Sequence, residues 1–268
     1  MPELPEVETV RRTLTEHLIN DTVLSVEVRY PKMVKTDLPT FLSGVKNQLI
    51  ERIERIGKHL VFIFKDHVML VHLRMEGKFY IDHHHDSKHS HILFQLKSDR
   101  QLIYHDVRKF GTFHWLPKED YREKEPIKSI ALEPKDMDPV MFYETISSKK
   151  REIKPVLLDQ TIISGLGNIY VDETLFLSGI HPERVAMDLS FKDVELLLKN
   201  ATWVLDRATE LGGSSIRSYQ SSLGIHGRFQ NELLVHMKKG QPCPICQNPI
   251  SKIKVKGRGT YVCESCQH

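Results

Sequence analysis

A proline directly behind the initiator methionine, with a carboxylate beside it, is the arrangement in this chain best suited to do chemistry: Met1-Pro2-Glu3-Leu4-Pro5-Glu6. Methionine is readily trimmed before so small a neighbour. The chain would then begin with the secondary amine of Pro2, a nucleophile that adds to an aldehyde carbon and collapses to an iminium without a lysine. An α-amino group titrates at roughly 7.7–8.0 in model peptides. The positive end of a following helix opposes the ammonium form and makes the amine more available. Glu3 stands beside it as a proton-handling acid or base. The same residues also suit an ordinary first helical turn, Pro because it needs no amide partner there and Glu because it opposes the macrodipole. These residues alone leave both readings open.

The second group with chemical potential is Cys243-x-x-Cys246 and Cys263-x-x-Cys266, with sixteen residues between the pairs. Each pair forms a tight knuckle offering two thiolates, and four thiolates close the tetrahedron of one ion with no position left for water. The pattern predicts one structural zinc ion. Disulfides would need an oxidising compartment, for which nothing else in the chain argues.

The elements that must position these groups follow from pattern. Leu4, Val7, Val10, Leu14 and Leu18 recur at helical spacing, and the stripe stops at Asn20-Asp21. From Thr22 to Trp115 the runs 24–28, 60–64, 68–73, 91–96 and 101–104 are short and β-rich with turn residues between most of them, which predicts an antiparallel sandwich or barrel. Pro117, Pro126, Pro134 and Pro139 among many charges mark an interdomain connection. Residues 140–211 look helical, most clearly from Ser190, a cap, to Gly212-Gly213, a stop. Ser164-Gly165-Leu166-Gly167-Asn168 is a turn that could bring backbone amides to an anion. It lacks both the P-loop lysine and a third glycine, so on its own it is a weak signal. Between the cysteine pairs, Lys252 to Lys256 alternates basic and apolar, predicting a zinc-pinned hairpin with Arg258 at its tip and Lys252, Lys254 and Lys256 on one face.

At 268 residues and 40% hydrophobic the chain can bury a core. No apolar run approaches a membrane span and no secretion signal is present, so a cytoplasmic protein with no membrane partner is expected, and a monomer. Net charge is only +3, but 234–261 carries no Asp or Glu while Lys238, Lys239, Lys252, Lys254, Lys256 and Arg258 fall there, which suits a polyanion.

Taken together these pieces resemble the formamidopyrimidine-DNA glycosylase family. The resemblance runs through residues 2–8, His72-Leu73-Arg74-Met75-Glu76-Gly77, Asp106-Val107-Arg108-Lys109-Phe110-Gly111, Gly165-Leu166-Gly167-Asn168-Ile169-Tyr170 and Gly257-Arg258-Gly259-Thr260. It implies an α+β chain: an N-terminal antiparallel β-sandwich with its helix over 1–128, a linker and helix–two-turn–helix region over 129–232, and a β-hairpin zinc finger over 233–268. It implies a bifunctional glycosylase and abasic-site lyase whose partner is double-stranded DNA containing oxidised purines or abasic sites. Pro2 would be the nucleophile, Glu3 the proton carrier, and Lys58 and Arg258 aids to elimination. Met75, Arg108 and Phe110 would fill the space left by an everted nucleotide. His72, His89, Arg108, Lys149 and Asn168 would contact DNA, and Glu6, Glu76, Ser215, Ile216, Arg217, Ser218 and Tyr219 would recognise the lesion.

The chain departs from the family pattern at Val185, at His236-Met237 and at Ile225-His226. His83-His84-His85 reads as a solvated loop rather than a metal site. Two rivals remain: a relative of endonuclease VIII, which acts on oxidised pyrimidines, and a non-catalytic zinc-finger DNA-binding protein. Leu4-Pro5 and the Met75/Arg108/Phe110 trio argue against the first, Pro2-Glu3 and Lys58 against the second.

Overall fold

The apolar stripe of the first eighteen residues and the β-rich runs behind it share one core. A computed structural model describes residues 2–82, 87–214 and 227–268. It divides the chain into two compact units, Met1–Lys128 with Gly212–Gly227, and Ser129–Leu211 with Arg228–His268.

The first unit opens with α1 (Leu4–Leu18), which buries Val7, Val10, Leu14 and Leu18. It ends where Asn20 turns left-handed at φ 65°, a conformation that asparagine tolerates. β1 (Thr22–Val28) follows, then α2 (Leu38–Val45). Pattern alone misses α2, because Pro39 and Gly44 in eight residues read as a turn. In fact Asp37 caps it by accepting the Thr40 amide at 3.1 Å. Gly44 lets α2 close on Trp115, whose Nε1 would lie 2.4 Å from an added Cβ.

β2 (Gln48–Leu49), β3 (Arg52–Ile56), β4 (His59–Ile63), β5 (His67–His72), β6 (Lys78–Asp82), β7 (Ser90–Leu96), β8 (Gln101–His105) and β9 (Thr112–Pro117) complete the unit. They form two antiparallel sheets, ordered β2-β1-β7-β8-β6 and β3-β4-β5-β9. Both sheets bury side chains in the same core, Val23, Phe79, Phe94 and Tyr104 from the first and Phe62, Met69, Phe113 and Trp115 from the second. Edge-to-face pairs such as Phe62–Phe79 (5.9 Å) and Tyr104–Phe113 (4.8 Å) cross from sheet to sheet. This is the sandwich expected from the sequence.

The second unit holds α3 (Pro139–Ser147), α4 (Ile153–Leu157), α5 (Asn168–Leu177) and α6 (Phe191–Glu210), then β10 (Ser251–Val255) and β11 (Arg258–Val262). Ser190 caps α6 in a reciprocal box with Asp193. The β10–β11 hairpin differs from expectation at its tip. Val255 pairs with Arg258, so the turn is the dipeptide Lys256-Gly257, both at positive φ (44° and 82°), as a two-residue hairpin turn requires. Arg258 is therefore the first residue of the returning strand. Lys254 and Lys252 share the exposed face, whereas Lys256 leaves the alternation and its Nζ pairs with Glu152 at 3.1 Å. No helix of the described residues is long and apolar enough to cross a membrane.

Candidate active site and metal centre

Pro2 and Glu3 are both buried at the entry to α1. Glu3 is the extended N-cap and forms a capping box with Glu6. One Glu6 oxygen accepts the Glu3 amide at 2.8 Å and the other the Ser214 amide at 2.7 Å. Gly213 must be glycine here, since φ is +79° and a Cβ would stand 2.7 Å from the Glu6 carboxylate. Gly227 lies just as close, its added Cβ only 2.3 Å from the Gly213 carbonyl oxygen. Gly213 and Gly227 therefore approach each other beside Glu6. Ser215, Ile216, Arg217, Ser218 and Tyr219 fall outside the described residues, as do His83, His84 and His85.

Lys58 sits in the two-residue turn between β3 and β4, where Ile56 pairs with His59 and Gly57 takes φ 54°. An ordinary surface lysine would be exposed, yet Lys58 is 5% exposed. The turn is tied to α1. Arg55 donates to the Gly57 carbonyl oxygen at 2.8 Å and to Glu8 at 3.2 Å, while Arg11 and Arg12 also bind Glu8, at 2.8 and 2.9 Å. Burial opposes ionisation of Glu8, but the Arg11 hydrogen bond and charge, with Arg12 and Arg55, outweigh it and hold the carboxyl at about 2. One ion cluster thus ties the Lys58 turn to the helix that follows Pro2-Glu3. Sequence reasoning missed it, because Glu8 and Arg55 lie 47 residues apart.

β5 ends at His72, opposite His59, and the two rings meet edge to face at 4.6 Å. Burial, the adjacent His59, Arg74 and Lys58 push the His72 pKa down to about 2. Burial, Arg74 and His114 lead in pushing His59 to about 3. The His72 Nδ1 accepts the Arg74 amide at 2.9 Å. A backbone N–H can only donate, so Nδ1 is bare and the ring proton resides on Nε2. Arg74 adopts φ 56° and aims the following Met75 and Glu76, both half-buried. Arg108 and Phe110 stand on the loop before β9. Phe110 is 52% exposed, which removes the alternative that it is a core residue, and the Arg108 guanidinium rests 4.9 Å from its ring centroid. His89 is half-buried, its ring 5.5 Å from that of His105.

In the second unit, half-buried Lys149 follows α3 and its carbonyl oxygen accepts the Met187 amide. Asn168 opens α5, and its side-chain amide donates to the Gly259 carbonyl oxygen at 3.0 Å, one residue from exposed Arg258. Beneath them lies a buried network that the sequence did not reveal. Lys154 Nζ reaches Asp172 at 2.6 Å and Thr260 Oγ1 at 2.8 Å, and the other Asp172 oxygen meets His236 Nδ1 at 2.7 Å. Glu173, its carboxyl raised by burial, accepts the amides of Leu234, Val235 and His236. His236 is thus placed as a hydrogen-bond partner of a buried carboxylate.

The four cysteine sulfurs lie within 4.8 Å of one another, with Cys243–Cys266 at 3.9 Å and Cys246–Cys263 at 3.4 Å. A tetrahedral zinc with Zn–S of about 2.3 Å needs sulfur–sulfur edges of about 3.8 Å. The donor set fits zinc, and with four thiolates the site is closed and structural.

The chain thus carries a sandwich with a buried proline-glutamate start, four helices in the second unit and a hairpin beside four clustered cysteines. Residues 1–113 match the formamidopyrimidine-DNA glycosylase N-terminal domain, 130–220 the H2TH domain of the same enzymes, and 240–268 the zinc finger found in FPG and IleRS. The chain is 46% identical over 271 residues to the formamidopyrimidine-DNA glycosylases of Mycoplasma mobile and of Streptococcus mutans, covering 100% of this chain and 99% of each relative. It superposes with a TM-score of 0.94 on Lactococcus lactis Fpg in complex with N7-benzyl-Fapy-dG-containing DNA (43% identity) and in complex with abasic-site DNA (42%), covering 99% of both chains in each case. The protein belongs to the formamidopyrimidine-DNA glycosylase family. A lone zinc-finger protein leaves the match over residues 1–113 unexplained.

Proposed function

We propose that the protein removes oxidised purines, 8-oxoguanine and formamidopyrimidines, from double-stranded DNA and then cleaves the strand at the resulting abasic site. The observation that carries this reading is the buried Pro2-Glu3 start of α1, tied through Glu8 and Arg55 to the turn bearing Lys58. The relatives crystallised with Fapy-dG and abasic-site DNA support the choice of partner. Repair of this kind places the protein with the chromosome, in the cytoplasm.

With Met1 removed, the Pro2 nitrogen attacks C1′ of the damaged nucleotide. The C1′–base bond breaks, the base leaves with the electron pair and a proton, and the sugar ring opens at O4′ to give an iminium between Pro2 and C1′. Glu3 supplies or relays these protons. The iminium withdraws electrons from C2′, so a C2′ proton is lost and the 3′ phosphate is expelled. A second elimination expels the 5′ phosphate, and hydrolysis returns the amine. Lys58 holds the phosphate beside the lesion and aids elimination, and Arg258 serves the later elimination. His72, as a neutral Nε2–H donor, contacts phosphate with His89, Lys149 and Asn168. Met75, Arg108 and Phe110 enter the duplex as the nucleotide leaves it, and Arg108 hydrogen-bonds the orphaned base. Glu6 and Glu76, with 215–219, contact the lesion. Cys243, Cys246, Cys263 and Cys266 would hold one zinc ion, which would supply no chemistry to the reaction and would keep the hairpin in shape.

Borohydride trapping tests the proposal. Intact protein lacking Met1 should become covalently attached to abasic DNA and to duplexes carrying an oxidised purine, and more slowly to oxidised pyrimidines. Absence of trapping, or retention of Met1 in active protein, would overturn the mechanism. Equal or faster trapping on oxidised pyrimidines would overturn the substrate.

A further inference from the structure

The loops that carry Met75 and Arg108–Phe110 are crossovers between the same two pairs of strands. One leaves β5 after His72 and enters β6 at Lys78, and the other leaves β8 after His105 and enters β9 at Thr112. His72 is paired with Thr112 and Lys78 with His105. The two loops therefore pass from one sheet to the other side by side, bracketed by a ladder at each end.

Between these brackets a single side chain gathers three amides of the second loop. Asp106 is fully buried. Its Oδ1 accepts the Arg108 amide at 3.0 Å, and its Oδ2 accepts those of Phe110 and Gly111, both at 2.9 Å. Lys109, between them, is held left-handed at φ 58°, a conformation that a non-glycine residue keeps only when its surroundings enforce it. The Tyr104 hydroxyl, 3.5 Å from Asp106 Oδ2, presses on both loops at once. A Cβ on Gly111 would stand 1.7 Å from it, and a Cβ on Gly77 2.1 Å. Both glycines are required by the approach of this one hydroxyl.

We propose that Asp106, seconded by Tyr104, is the positioning residue that sets the presentation of Arg108 and Phe110, and through Arg108 the choice of the base opposite the lesion. The inference rests on the void-filling reading given above. A carboxylate is needed because acceptors must face the loop from both oxygens. Asparagine offers one acceptor and turns an N–H₂ toward a backbone N–H, so either the Arg108 amide or the Phe110 and Gly111 amides are released. The Pro2 amine and its neighbours are untouched by that change, so the loss falls on discrimination and not on imine chemistry.

The test compares single-turnover excision of 8-oxoguanine opposite cytosine and opposite adenine. Asp106→Asn should lower the cytosine-to-adenine ratio by about tenfold, the scale expected when a buried amide loses its acceptor. Borohydride trapping on abasic single-stranded DNA should stay at the wild-type level. Hydrogen exchange at the Phe110 and Gly111 amides should accelerate. Tyr104→Phe keeps the ring and the core, should shift the ratio the same way by less, and decides the matter if Asp106→Asn does not fold. A wild-type ratio in folded Asp106→Asn, or failing that in Tyr104→Phe, while Arg108→Ala flattens it, overturns this inference alone. A wild-type ratio in Arg108→Ala overturns the void-filling reading beneath it.

Discussion

Glu6 and Ser214, 208 residues apart, are joined by a 2.7 Å hydrogen bond from the Ser214 amide to one oxygen of the Glu6 carboxylate, whose other oxygen caps the helix that begins behind Pro2. The segment 215–226 thus starts from a residue anchored to the first turn of α1. Glu6→Gln can satisfy only one of these two amides. In the proposed reaction it should slow excision of an oxidised purine by roughly tenfold, the scale of one lost charge-assisted bond. Trapping at a preformed abasic site, where no damaged base has to be recognised, should fall less. Equal loss on both substrates in single-turnover assays would show that Glu6 serves the amine and not the lesion-recognition segment.

The Glu8 cluster makes a prediction about acid stability. The carboxyl lies at about 2 in the folded chain and near 4.5 when unfolded. A depressed folded value means that the unfolded state binds the proton first, so the stabilisation is complete above about pH 4.5 and disappears as the pH falls toward 2. Glu8→Gln should therefore be less stable than wild type at pH 7, with the gap closing through that window in denaturant titrations. A gap that is constant from pH 6 to pH 3 would mean that Glu8 is not the linked group. Because the cluster grips the Lys58 turn, the same variant should also lose lyase rate at neutral pH.

His72 should contact DNA as a neutral donor. Its folded pKa of about 2 lies far below the usual 6.5, so no protonated His72 is available between pH 5.5 and 8, and its Nδ1 is occupied by the Arg74 amide. DNA affinity in wild type and His72→Asn should differ by a factor that does not change with pH over that range. Folding stability behaves differently: the unfolded state takes up protons below pH 6.5 that the native ring refuses, so wild type loses stability as pH falls from 7 to 5, and His72→Asn loses less. A phosphate contact that strengthens on acidification in wild type alone would show that the ring is charged.

The legible parts of this structure are those written in local pattern. The α1 stripe, the short β runs, the Ser190 cap and the spacing of Cys243, Cys246, Cys263 and Cys266 are each set by residues near one another in sequence, and each reappears in the fold. What pattern could not supply was the long-range polar chemistry. Arg55 on Glu8 and Asp172 between Lys154 and His236 look like exposed charges until the chain is closed, and Asp106, although close in sequence to the amides it binds, carries no local sign of its burial. α2 was hidden for another reason, since tertiary packing on Trp115 and the Asp37 cap override the breakers Pro39 and Gly44.

The hairpin turn predicts an uneven distribution of electrostatic work among its lysines. Lys254 points to solvent on β10, whereas Lys256 already pairs with Glu152 at 3.1 Å and Lys252 lies over the Tyr261 ring, 5.2 Å from its centroid. Each phosphate neutralised by the protein contributes about 0.9 to the slope of log affinity against log salt. Lys254→Ala should therefore lower the slope by about that amount, and Lys256→Ala by less, because removing a lysine that is internally compensated releases few counterions. Both effects depend on zinc, since a hairpin of ten strand residues over a core of Phe176, Val235, Ile250 and two cysteines is marginal alone. Stripping the metal, or Cys246→Ser, should lower DNA affinity and erase the difference between the two lysine variants. Filter binding across a salt series measures all of these, and an unaltered slope in Lys254→Ala would take the hairpin face off the DNA.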